Sequence, residues 1–79
     1  MPYIKKNQRN NVWTYGPQTV GDLTFLLTDL LKGYLLGKGE SYQTYAEMLG
    51  ALAGAKLDLI ERKIKPYEAK KCAENGDVW

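Results

Sequence analysis

The stretch TVGDLTFLLTDLLKGYLLGKGESYQTYAEMLGALAGAKLDLIERKIKP, residues 19–66, decides the fold. In its first half Val20, Leu23, Leu26, Leu27, Leu30, Leu31, Tyr34 and Leu35 recur at spacings of three and four. At about 100° per residue they line one wide apolar face, which predicts a helix over 19–37. Thr19 can accept hydrogen bonds from the orphan N–H groups of the first turn, and Asp22 favours the positive helix end. Gly37 and Gly39 supply the left-handed conformations that end helices. Ser41 is a good N-cap for a second helix over 41–65, whose apolar face carries Met48, Leu49, Leu52, Ala53, Leu57, Leu59, Ile60 and Ile64. The residue before a proline resists helical dihedrals, so Lys65 is expected to end or kink this helix. Pro66 can open a further short helix over 66–75, closed by Asn75-Gly76. With only Lys38-Gly39-Glu40 between them, the two long helices read as an antiparallel hairpin. The fold class is all-α: that hairpin, a short C-terminal helix and an extended N-terminal arm in a single small domain, 1–79.

Outward from this core, residues 1–18 show no helical period. Asn7, Asn10, Asn11, Gly16 and Pro17 interrupt them, so an extended arm with a turn at Tyr15-Gly16-Pro17-Gln18 is expected. At 1.5 Å per residue the helices would span roughly 27 Å and 36 Å. In an antiparallel pair the first covers the second only to Asp58, leaving Leu59, Ile60, Ile64 and Tyr67 in need of cover. The arm enters beside that end, and Tyr3, Ile4, Trp13 and Tyr15 are its candidate anchors. A second copy of the chain is the other candidate cover. Phe25 and Leu36, on the back of the first helix, complete the candidate interaction surface with those four residues. Gly50 and Gly54, four apart on the second helix, would let another backbone approach, from the hairpin itself or from a partner.

Charge and composition narrow the function classes more than they choose among them. The 79 residues make one small domain with a marginal core, and a net charge of +2 selects no partner class. That charge is unevenly placed: Lys5, Lys6 and Arg9 stand in the first segment, with no acid before Asp22. The chain has no His, and its one Cys, Cys72, allows neither an intrachain disulfide nor a cysteine-built zinc site. The N-terminus turns polar where a signal peptide would turn apolar. The longest charge-free apolar run, Met48 to Ala55, has 8 residues. A bilayer needs about 20. A cytoplasmic protein without a membrane segment is expected.

No catalytic, cofactor or metal constellation emerges. Gly33 to Gly39 superficially evokes a phosphate loop, but its spacing is one short, Gly39 stands where a Mg²⁺-binding hydroxyl belongs, and the glycines end a helix where a phosphate needs a helix start. Asp58 and Glu61 fall on the polar face of the second helix and read as solvated acids. Cys72 has no His to activate it. Lys56 and Lys63, seven apart within the apolar face, are weak anion-site candidates, with snorkelling stems the simpler account. Lys5, Lys6 and Arg9 interleave with aromatics as in single-strand binders, but three cations release few counterions, which argues against nucleic acid at physiological salt.

The two ends are the most distinctive parts. Met1-Pro2-Tyr3-Ile4 at the start, and Pro66-Tyr67-Glu68 with Lys70-Lys71 and Glu74-Asn75-Gly76-Asp77-Val78-Trp79 at the end, resemble an uncharacterised family of small proteins from tailed phages and some bacteria. The match covers the last third and the first four residues; elsewhere only the helical pattern agrees. This resemblance implies a phage or prophage setting, hence the host cytoplasm, and no known activity. The expected function is that of a small non-enzymatic helical protein acting through self-association, as a homo-oligomer, or through contact with a host or phage protein. A nucleic-acid-binding accessory using the basic-aromatic arm is the alternative.

Overall fold

The computed structural model describes residues 4–77, and among these every regular element is helical. In chain order they are a 3₁₀ turn (Lys6–Gln8) leading into α1 (Arg9–Tyr15), then α2 (Val20–Lys38), α3 (Tyr42–Leu59), a π-helical segment (Ile60–Ile64) and α4 (Lys65–Asn75). The chain divides into two compact units, Met1–Tyr45 and Ala46–Trp79.

In the first unit the expected extended arm is instead helical across Lys6–Tyr15. The local sequence, rich in Asn, gives little helical drive, and seven residues are too few to hold a helix in water. Burial supplies the difference. Val12 is only 4% exposed and Ile4 is also buried. On the same side of α1 as Val12, two further residues grip α2. The Trp13 indole N–H donates to Asp29 Oδ2 at 3.0 Å. The Arg9 guanidinium lies 5.5 Å from the centroid of the Phe25 ring. Arg9 and Trp13 are four apart, as are Phe25 and Asp29, so one turn of α1 meets one turn of α2 with the pairs in the same order. Gly16, at φ +85°, ends α1, its N–H donating to the Val12 carbonyl at 2.9 Å. The positive φ favours glycine there, as the turn at this position required.

The start of α2 follows the sequence reading. The Asp22 N–H donates to Thr19 Oγ1 at 3.1 Å, and Asp22 Oδ2 accepts the Gln18 N–H at 3.0 Å. Its end differs by a turn residue: Gly37 stays inside the helix, and Gly39 alone of the two takes positive φ, at +88°. One left-handed residue suffices to close the helix, and here the Gly39 N–H reaches the Leu35 carbonyl at 2.8 Å. Ser41 caps α3 as expected, accepting the Thr44 N–H at 3.0 Å, while the two hydroxyls lie 3.0 Å apart. Thr44 is buried with this partner in place.

In the second unit Lys65 neither ends the helix nor leaves helical dihedrals: it sits at φ −60° and ψ −47°. The strain that Pro66 imposes is taken up upstream. A proline ring lacks an N–H and crowds the carbonyl four residues back. Residues 60–64 widen to a π turn, in which the Lys65 N–H reaches back to the Ile60 carbonyl. The chain thus passes from α3 into α4 without a break. Two ion pairs lie along this passage, Asp58–Arg62 and Glu61–Lys65, each at 2.7 Å and each four residues apart. All four side chains are exposed, so each pair contributes only about 0.3–0.5 kcal/mol. Gly76 closes α4 at φ +83°, its N–H donating to the Cys72 carbonyl at 2.8 Å.

Candidate functional site

Two features beyond the helices themselves offer a function: apolar stripes left on the surface, and a basic cavity in the first unit.

Leu23, Leu27, Leu30 and Tyr34 follow one another at spacings of four, three and four along α2, and all are exposed. Tyr45, Leu49, Leu52 and Leu59 form the corresponding line on α3, with Leu49 67% exposed. Lys56 continues that line and Lys63 lies one heptad beyond it, in the π turn; both are exposed. Of the surface residues read from sequence, Leu36, Leu59, Ile64 and Tyr67 are exposed and Ile60 is half-buried. Phe25 is half-buried beneath Arg9, which engages it inside the first unit. Lys71 lies 5.5 Å from the centre of the Tyr67 ring. No side-chain atom comes within 4 Å of where a Cβ on Gly50 or Gly54 would stand.

The candidate arm anchors divide. Ile4 is buried, and Trp13 is fixed through its indole N–H to Asp29 of α2, whereas the sequence reading sought its partners among Leu59, Ile60, Ile64 and Tyr67. Tyr15 is 76% exposed and does not anchor: it is the last residue of α1, beyond the turn that grips α2. Tyr3 lies outside the described residues.

The second feature was not legible as a site. The 3₁₀ turn, α1, the Gly16–Thr19 connection and the first turn of α2 border a concavity of about 870 Å³ that is open to solvent. Lys5, Lys6 and Arg9 bring three positive charges to its lining, and Asp22 brings one negative charge. Asp22 is already occupied by the Gln18 N–H. Arg9 Nε is buried and has no hydrogen-bond partner among the described residues. A buried donor left in that state costs about 1–3 kcal/mol. A further perturbed group stands at the end of the same unit. The Tyr45 hydroxyl donates to Glu40 Oε2. That hydrogen bond, then desolvation and the Glu40 charge, raise the phenol above its usual value of 10.0.

Among the described residues there is no group of three or more His, Cys, Asp or Glu placed to hold a metal ion, and no helix long and apolar enough to cross a membrane. Cys72 is exposed and free. The acids Asp58 and Glu61 are held by Arg62 and Lys65.

These features define a small all-helical protein with surface apolar stripes and a basic cavity near its N-terminus. The chain belongs to the family described as Domain of unknown function (DUF6899), whose model matches residues 1–78. The sequence reading expected an uncharacterised family, and this one is of unknown function. No curated protein and no solved structure matches it.

Proposed function

We propose that the protein is a non-enzymatic helical module that self-associates through the stripes of α2 and α3. The observation that carries this reading is the exposure of Leu23, Leu27, Leu30 and Tyr34 on one helix and Tyr45, Leu49, Leu52 and Leu59 on the next. Fully burying one such side chain contributes roughly 1.5–3 kcal/mol, and a contiguous line of them on water marks a contact surface. Helices meet along such lines by fitting the ridges of one into the grooves of the other. In this reading the stripes of one copy are met by those of a second copy, which together complete a bundle. Lys56 fits the same picture, its stem lying over the apolar line and its ammonium group reaching water at the edge.

The non-enzymatic part rests on the sequence, which lacks His altogether, and on acids occupied by neighbouring cations. A phage or prophage origin and a host-cytoplasmic setting belong to the same reading and rest on the terminal motifs alone. The test is to replace Leu27 or Leu52 with Lys, both on exposed stripe positions, and compare masses by size exclusion with light scattering. The variants are expected to elute as monomers with unchanged far-ultraviolet circular dichroism at concentrations where the parent associates. Association undiminished in both would refute the assignment to these stripes.

A further inference from the structure

We propose that the cavity framed by the 3₁₀ turn, α1 and the start of α2 binds a small organic phosphomonoester. Three cations, Lys5, Lys6 and Arg9, face one acid, Asp22, giving the lining a charge of +2. A phosphomonoester carries about −1.5 to −2 at pH 7, which matches it. The acid offsets one of the three positive charges. Its carboxylate accepts the Gln18 N–H, and its backbone N–H is held at the Thr19 cap. The ion pairs Asp58–Arg62, Glu61–Lys65 and Lys71–Glu74 involve none of the three cations.

Arg9 gives the cavity a fixed point. Its guanidinium is held over the Phe25 ring, and its Nε is buried without a partner among the described residues. A guanidinium already held over a ring offers its outer nitrogens to an anionic acceptor with part of the ordering cost met by folding. The space is far larger than inorganic phosphate needs, and about 870 Å³ lies within the range of small-molecule sites. Ile4 and Val12 contribute apolar wall, and the exposed Tyr15 ring is available to stack on a planar group. The ligand is therefore a phosphate carrying an organic body, such as a nucleoside monophosphate. A polynucleotide backbone is the poorer fit, since three cations release too few counterions to hold one at physiological salt.

The test is a titration of the full chain with adenosine 5′-monophosphate at physiological salt, followed by amide nuclear magnetic resonance. Saturating shifts are expected across residues 5–22. Lys5→Gln combined with Lys6→Gln changes two exposed side chains, and is expected to weaken binding by more than about tenfold, the loss of one charge-assisted hydrogen bond or more. Arg9→Lys keeps the charge but removes the planar fork, and is expected to weaken binding similarly while the α1 amide resonances stay helical. Adenosine should leave residues 5–22 unmoved, and inorganic phosphate should bind more weakly than the nucleotide. The proposal is overturned by an absence of saturation up to on the order of 10 mM, or by equal binding of adenosine or of inorganic phosphate. Tighter binding of a single-stranded oligonucleotide at the same salt would also overturn it, assigning the surface to nucleic acid.

Discussion

Replacing Val12 with Ala should release α1 from α2 while leaving the rest of the chain helical. Val12 is 4% exposed, and the substitution removes two carbons from a site with no water to take their place. At about 0.8 kcal/mol per buried carbon the transfer loss is about 1.6 kcal/mol, and any cavity left behind adds to it. A helix of seven residues has no stability of its own to set against that loss. The remaining ties are the Trp13–Asp29 hydrogen bond, at the surface of the unit, and the half-buried Arg9–Phe25 stack. Amide hydrogen exchange reads the effect directly. Protection across Arg9–Tyr15 should fall by about fifteenfold, the equivalent of 1.6 kcal/mol, while the α3 amides keep theirs. The indole N–H resonance of Trp13 should move at the same time as its bond to Asp29 loosens. Unchanged protection over Arg9–Tyr15 would refute the reasoning, because it would mean that α1 is held by something other than Val12.

The glycines of α3 offer a second check. Since a Cβ on Gly50 or Gly54 meets nothing within 4 Å, changing both to Ala should raise stability by about 1 kcal/mol each in urea denaturation and leave association intact; destabilisation would show that another helix approaches them closely. The Tyr45 phenol should ionise above its usual value of 10.0 in an alkaline titration at 295 nm, because its hydrogen bond to Glu40 raises it. A raised folded value means that its contribution to stability is present below the usual value of 10.0 and is lost as pH rises through the folded one, so Tyr45→Phe should remove both the late titration and that alkaline loss. A titration curve whose late portion survives Tyr45→Phe would assign it to another tyrosine.

How much was legible in the sequence differs along the chain for physical reasons. The start of the first long helix, the caps at Thr19 and Ser41 and the close at Gly76 are local events. Spacing and side-chain type fix them, and they lie where the sequence reading put them. The helical segment at Lys6–Tyr15 was not legible because its propensity is poor and its stability comes from α2. One signal was present: Arg9, Val12 and Trp13 stand three and four apart, the spacing of a helical face, but a single turn is a weak pattern beside three asparagines. The passage through Pro66 was read as an end or kink at Lys65 because the rule for the residue before proline is local, whereas the π turn spreads the strain over the preceding five residues. The cavity could not be read at all. Its cations were visible as a charge excess, but their convergence depends on α1 folding against α2. Phe25, whose ring holds Arg9, looked like an outward-facing residue for the same reason.

The central claim is that the stripes on α2 and α3 are met by a second copy of the chain. Sedimentation equilibrium of the unaltered protein from low to tens of micromolar tests it most directly. The account predicts a mass above that of one 8.9 kDa chain, rising with concentration. A constant mass of 8.9 kDa across that range would contradict it.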